Sequence, residues 1–426
     1  MTGQDISAAY GILDANSLRA YLAGLELRNL LGGPPERWRI SEVGDGNLNL
    51  VFIVEGPAGS VCVKQALPYV RAAGPSWPMS PERAFFENAY YKAVAPHVGR
   101  LIPAIHHYDA QRYCTVMERL SPHIILRHGL IAGRRYPNMA QHIGEFIARA
   151  CFNTSDLAAP FERKLDGMAL FAANKPLIRI TVDLIFSDPY IDSARNRHTS
   201  PQLDAAVTAL RRDGAAKWAA ARFGYKFLNQ PEALVHGDLH SGSVMVTESD
   251  SRVIDPEFAF YGPIGFDLGA FLGNLLLSWY SQAGHEKPQD DRGAYRQWIL
   301  EQAALFWDSF HTRFLALWRE QARGDGFPVA LFAGNAGAAT LESARKAYLD
   351  GLFADMVGFA ACKMIRRIVG FAHVIDLESI QDLEQRAACE ARALTMARTL
   401  LTQPTQFRSI ADIADTVPRI RPAPAP

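Results

Sequence analysis

His236-Gly237-Asp238-Leu239-His240 stands between two apolar runs, Leu234-Val235 and Val244-Met245-Val246. Seventeen positions past Asp238, the run Val253-Ile254 ends in Asp255-Pro256-Glu257. An Asp in a short loop, followed by Asp-x-Glu at the end of an apolar strand, gathers three carboxylates, and phosphoryl transfer needs such a set. One carboxylate orients and deprotonates the attacking hydroxyl, and others hold Mg2+ against the phosphates. Mg2+ takes one or two carboxylates with water and phosphate oxygens, so Asp255 and Glu257 suffice as ligands. Each piece alone also reads as a tight turn or a helix-start signal.

Other residues fit the same chemistry. Gly44-x-Gly46 lies between two strand patterns, where glycine lets the backbone approach a phosphate closely; alone it reads as a hairpin turn. Lys64 adds weight, because it ends Val61-Cys62-Val63, 18 residues after Gly46, placed as the lysine that reaches the α/β-phosphates in kinases. Asn47 and Asn49 share one strand face, with Leu48 and Leu50 on the other; amides under a Gly-rich loop can bond a nucleotide, or line a solvated face. Glu82 and Glu87 are candidate partners for Lys64, and Glu87 fits the Phe86-x-x-x-Tyr90 helical pattern. Met117-Glu118-Arg119-Leu120 falls where strands give way to helices, as a hinge whose backbone pairs with adenine or as a plain linker. Arg366-Arg367 lie mid-helix between Met364-Ile365 and Ile368-Val369. Two guanidiniums there require ion pairs, with Glu342 or Asp376, or an anion such as a transferring phosphoryl group. His106-His107 and His240 lack the spacing of a metal site and read as structural.

The elements that must position these residues follow from periodicity. Residues 5–31 have a helical period, broken by Gly32-Gly33-Pro34-Pro35. Residues 39–43, 48–55 and 60–65 alternate as strands; a helix over 83–95 and strands at 102–108 and 113–118 complete a small α+β unit. Helical patterns then dominate, at 139–156, 162–174, 202–228, 266–282, 291–322, 339–372 and 380–402, with a strand-like island at 233–255. Residues 404–426 hold five prolines and read as a mobile tail. The expected organisation is α+β and bilobal: a nucleotide-binding lobe over 1–118 with a helical extension at 1–31, a helical lobe over 119–403, and the tail. The 426 residues carry 44 basic and 44 acidic side chains, which leaves no electrostatic footprint for nucleic acid. The longest apolar stretch, Phe271 to Tyr280, is about half a membrane span. Five widely spaced cysteines without a CxxC pair fit reduced thiols in the cytoplasm.

Taken together, HGDLHSGSVMV and VIDPEFAFYGPIGFDLGAF resemble the kinase-like phosphotransferases of small molecules, the group of aminoglycoside, choline and methylthioribose kinases, and most closely the methylthioribose branch. The likeness extends through GDGNLN (44–49), SWP (76–78), QHIGEF (141–146) and RRIVGFAH (366–373), so it covers roughly residues 40–400. It implies a bilobal protein-kinase-like fold and an ATP- and Mg2+-dependent kinase of 5-methylthioribose in methionine salvage, acting as a homodimer. It further implies Asp238 as base, Asp255 and Glu257 on metal, Asn49 on ATP, Arg366 and Arg367 on the sugar and the transferred charge, and Trp77 on a mobile loop near the nucleotide. Most members have Asn five residues after the base, where this chain has Ser243; Glu257 can supply the missing oxygen. Asp267 resembles the aspartate that braces the catalytic loop, and reads equally as a helix N-cap. Two alternatives remain. A kinase of choline, homoserine or an aminoglycoside would call for an aromatic cage or an acidic cleft, neither of which is evident. A pseudokinase-like ATP-binding module has only Ser243 in its favour.

Overall fold

The computed structural model describes residues 11–44, 48–71 and 74–421. Helix α1 (Ala15–Ala23) starts at Asp14, whose carboxylate accepts the Asn16 and Ser17 amides while Ser17 Oγ accepts the Asp14 amide; these contacts satisfy donors that a helix start leaves open. After α2 (Arg28–Leu31) come β1 (Arg39–Glu42), β2 (Asn49–Glu55) and β3 (Ser60–Ala66), then α3 (Arg83–Val98), β4 (Ile105–Asp109) and β5 (Cys114–Glu118). The five strands form one antiparallel sheet in the order β1-β2-β3-β5-β4. Alternation decides its two faces. Phe52, Val54, Val61, Val63 and Val116 bury against Leu18, Leu22, Leu31 and Trp38, and Lys64, paired between Val51 and Thr115, projects from the other face toward α3.

The second lobe is mostly helical: β6 (Ile124–Ile125), α4 (Leu126–Ile131), α5 (Met139–Thr154), α6 (Phe161–Phe171), α7 (Lys175–Thr181), α8 (Asp204–Arg212) and α9 (Gly214–Asn229). Four short strands follow, β7 (Ala233–Val235), β8 (Val244–Val246), β9 (Ser251–Val253) and β10 (Phe260–Gly262), and then α10 (Ile264–His285), α11 (Gly293–Gln321), α12 (Asn335–Val369), α13 (Ile375–Glu378), α14 (Leu383–Thr402) and α15 (Ile410–Thr416). This is the bilobal α+β arrangement expected. The strand-like island resolves into β10–β7 and β6-β8-β9 pairings, which hold the HGD loop and the Asp255 segment between them. Phe86, Tyr90, Tyr91 and Val94 of α3 belong to the core of the large lobe, so α3 ties the small sheet to the helices.

Three expectations change. The helical stretch expected over 5–31 is two helices, Ala15–Ala23 and Arg28–Leu31, with residues 5–10 outside the described ones. The helix expected over 202–228 is two helices, because Asp213 turns the chain and caps α9 by accepting the Ala215 and Ala216 amides at 2.9 and 3.1 Å. The stretch read as a mobile tail is docked through residue 421: Phe407, Ile410, Ile413 and Val417 are buried, and Tyr280 Oη donates to the Val417 carbonyl at 3.1 Å. Pro404 and Pro418 each lie in the first positions of a short helical turn, and the apolar residues between them supply the contact that composition hid.

Helices α10 and α12 pack backbone to backbone. A Cβ at Gly265, Gly269 or Gly273 would lie 2.4 Å from Asp355 Cβ, 2.6 Å from Ala360 N or 3.0 Å from Ala360 O. The four-residue spacing keeps all three glycines on one helix face. Gly269→Val is expected to cost about 1–3 kcal/mol through overpacking, read as a lower urea midpoint; an unchanged midpoint would show that the seam can open.

Candidate active site

The HGD loop leaves β7 and is clamped from behind. Asp267, in the first turn of α10, accepts the His236 amide on Oδ2 at 2.6 Å and the Gly237 amide on Oδ1 at 3.0 Å. It is therefore a brace across the fold; the N-cap of α10 is Pro263. Gly237 has φ +85°, and a Cβ there would lie 2.2 Å from the Phe258 carbonyl oxygen, so only glycine fits the turn. The buried His236 ring bridges the Ile254 carbonyl through Nε2 at 2.9 Å and the Asp238 amide through Nδ1 at 3.3 Å. Ser243 Oγ donates to the Asp238 carbonyl at 3.0 Å, so this hydroxyl is spent on the loop where most of the family resembled carries a metal-binding Asn.

The Asp238 carboxylate faces a partner that no spacing argument identified. Lys363 Nζ lies 2.9 Å from Oδ1 and 4.4 Å from the centroid of Phe266, on a side chain only 3% exposed. Arg367 Nη2 stands 3.9 Å from the same oxygen, and His240 Nε2 3.3 Å from Oδ2. The Gly242 amide donates to His240 Nδ1 at 3.0 Å, so the His240 proton sits on Nε2, facing Asp238. Burial works against ionising Asp238, but Lys363 and then His240 outweigh it and hold the carboxyl well below its usual range. Burial pushes His240 down to about 3, so its ring is neutral. Lys363 sits one turn before Arg366-Arg367 on α12, a Lys-x-x-Arg-Arg pattern that could have flagged it.

Arg366 and Arg367 differ in their use. Arg367 Nη1 donates to the Ala372 carbonyl at 2.9 Å, whereas Nε and Nη1 of Arg366 are buried with no hydrogen-bond partner among the described residues. The ion pairs considered as alternatives are otherwise engaged: Asp376 lies 3.2 Å from Arg127, and Glu342 pairs with Arg319 and Arg345. Burial lowers the pKa of Arg366, and Asp238 opposes that. An unpartnered buried guanidinium beside an ionised carboxylate is a receptor for an anionic or hydroxylated ligand.

A second charged centre joins the lobes. Lys64 Nζ contacts Glu87 Oε2 at 2.9 Å and pairs with Asp255 Oδ1, which selects Glu87 over the exposed Glu82. Burial pulls the Lys64 pKa down, but Asp255, Glu87 and Glu257 outweigh it and raise it well above its usual range; Lys64 in turn holds the half-exposed Asp255 carboxyl below its usual range. Asp255 adopts φ +70°, and its amide donates to Tyr91 Oη at 3.1 Å, a strained backbone of the kind that clusters at functional sites. Among the described residues no group of three acidic, His or Cys side chains stands at metal-binding distance; Asp238 pairs with Lys363, Asp255 with Lys64 and Glu257 with Arg83.

Asn49, which the family resemblance puts on ATP, is tied to Glu257. Its Nδ2 donates to Glu257 Oε2 at 3.0 Å, its Oδ1 accepts from Arg83 at 2.8 Å, and Arg83 Nε lies 3.2 Å from that same Glu257 oxygen. Both amide ends thus support Glu257 from behind. Gly46 and Asn47 lie outside the described residues; Gly44 ends the described part of the loop after β1. Glu118 accepts the Ala104 amide at 3.0 Å and Arg119 pairs with Glu55, which leaves the backbone from Glu118 to Leu120 as the stretch that links the lobes. Trp77 packs on Phe371, ring centroids 4.8 Å apart, and so reaches from the small lobe to the end of the twin-arginine helix. For a hard divalent cation the donors are suitable: carboxylate oxygens only, with Asp255 44% exposed and Glu257 held in place beneath it.

The profile of the phosphotransferase enzyme family matches residues 39–324. A methylthioribose kinase of Escherichia coli O45:K1 is 44% identical over 407 residues, covering 95% of this chain and 97% of that protein. Methylthioribose kinase 1 of Oryza sativa subsp. japonica is 46% identical over 406 residues, 94% of each chain. Among solved structures, an ethanolamine kinase of Plasmodium vivax aligns with a TM-score of 0.48 at 11% identity, over 94% of this chain and 95% of that one.

If the Asp267 clamp holds the loop, Asp267→Ala raises hydrogen exchange at the His236 and Gly237 amides by at least tenfold and leaves amides in β2 and β3 unchanged. Equal exchange at these two amides in both proteins would remove the clamp from the account.

Proposed function

We propose that this chain, which belongs to the phosphotransferase enzyme family and within it to the methylthioribose kinases, transfers the γ-phosphoryl group of ATP to the anomeric hydroxyl of 5-methylthioribose. The products are ADP and 5-methylthioribose 1-phosphate, a step of methionine salvage. The observation that carries the reading is Asp238, an ionised carboxylate fixed by Lys363 and His240 beside the unpartnered nitrogens of Arg366.

Asp238 accepts the hydroxyl proton as the sugar oxygen bonds to the γ-phosphorus and the bond to the bridging oxygen of ADP breaks. An anomeric hydroxyl is more acidic than an ordinary alcohol, so a carboxylate of low pKa serves. Once Asp238 is protonated, Lys363 loses its counter-charge, and the phosphoryl group now on the sugar supplies another. Arg366 and Arg367 match that group bidentately. Lys64, kept charged by Glu87, reaches the α/β-phosphates; the loop at Gly44 and Gly46 covers them, and the backbone of Glu118, Arg119 and Leu120 receives adenine. Asp255 and Glu257 would hold Mg2+, which neutralises charge on the phosphate oxygens when bound. As implied by the family resemblance, we assign the chain to a cytoplasmic homodimer; five unpaired cysteines suit a reducing compartment.

The test is a coupled ADP-release assay with Mg-ATP and 5-methylthioribose, ribose, choline, homoserine and kanamycin, for wild type and Asp238→Asn. Turnover is expected with 5-methylthioribose alone, reduced ~10²–10⁴-fold in the variant with nucleotide affinity kept. Preference for another alcohol would overturn the substrate, and near wild-type turnover by the variant would overturn the base. Lys363→Met removes the cation that keeps Asp238 ionised, so the acid limb of kcat/KM moves to higher pH while the pocket stays closed. An unmoved limb would leave Lys363 as packing only.

A further inference from the structure

At the far end of α10, about 18 Å along the helix from Asp267, a cavity of about 660 Å³ opens between α10, α11, α14 and α15. We propose that it is a second binding site, for the phosphate group of a small phosphorylated metabolite. Its volume falls within the range of small-molecule sites, and its walls include Arg296, Arg392, Arg419, Arg421 and Trp279.

The charges there are arranged for an anion. The guanidiniums of Arg296 and Arg392 lie 5.8 and 5.6 Å from the Trp279 centroid, and Arg392 lies 5.5 Å from the centroid of Tyr280. A guanidinium held beside an aromatic ring keeps N–H donors that suit bidentate phosphate binding. Arg392 and Arg421 share one neutral acceptor, the Pro418 carbonyl, at 3.5 and 2.9 Å. Among the described residues no carboxylate forms an ion pair with Arg392, Arg419 or Arg421; Arg296 reaches Glu286 only at 3.5 Å, and Asp415 on the wall pairs with none of the four. Trp279 Nε1 and Arg392 Nε are closed off beneath this wall, without hydrogen-bond partners among the described residues, so an anion would be met by Arg296, Arg419, Arg421 and the rest of the Arg392 guanidinium. Like charges gathered on one wall repel unless an anion offsets them.

The full chain is titrated calorimetrically with ribose 5-phosphate, and separately with orthophosphate, in low-salt buffer, alongside Arg419→Glu/Arg421→Glu and Arg392→Met. The exposed double variant keeps the test valid if Arg392→Met fails to fold. The expected result is one saturable event per chain, weakened at least tenfold by the variants, with kcat and KM for ATP unchanged. Tighter binding of ribose 5-phosphate than of orthophosphate supports a phosphate monoester, and equal binding supports free phosphate. Binding unaffected by the variants, or no saturable event, overturns the proposal.

Discussion

The close contact of α10 with α12 is the constraint on which the site depends. Side chains larger than hydrogen at Gly265, Gly269 and Gly273 would hold the helices apart. With the helices together, Asp267 at the start of α10 clamps the HGD loop while α12 carries Lys363, Arg366 and Arg367 to the same loop. Asp238 and the cations beside it are thus placed by rigid helices whose separation is set by backbone contact, which favours precise geometry over adaptable loops.

The second organising fact is that each of the three carboxylates of the site has a counterpart on a different element. Asp238 answers to α12, Asp255 to β3, and Glu257 to Asn49 on β2 and Arg83 on α3. A buried ion is tolerable only when paired and hydrogen-bonded, so these pairs fix the approach of the lobes as well as the state of the carboxylates. Lys64 is the exception in kind: it holds two carboxylates at once, and phosphates can displace one of them without stranding it.

The unspent groups are as informative as the paired ones. Arg366 keeps buried nitrogens without a partner, and so do Trp279 and Arg392 at the opposite end of α10. In both places arginines gather with few carboxylates to meet them. The first lies within the catalytic arrangement and the second outside it, behind a C-terminal segment whose burial its proline content concealed.

The sequence by itself determined the lobes, the HGD aspartate, Lys64 with Glu82 and Glu87 as candidate partners, and the arginine pair, because each shows in local periodicity or in residue types at short spacing. Alternation along β3 sends Lys64 to the face opposite Val63, and the apolar flanks of Arg366-Arg367 mark a helix that must present charge. What only the tertiary structure decided are contacts across long separations. Lys363 meets Asp238 across 125 residues and Asn49 meets Glu257 across 208, and nothing local distinguishes a lysine on a helix face from one buried on a carboxylate. The choice between brace and cap for Asp267 was settled the same way, since both readings require the same residue at the start of α10 and differ only in which loop the fold lays against it.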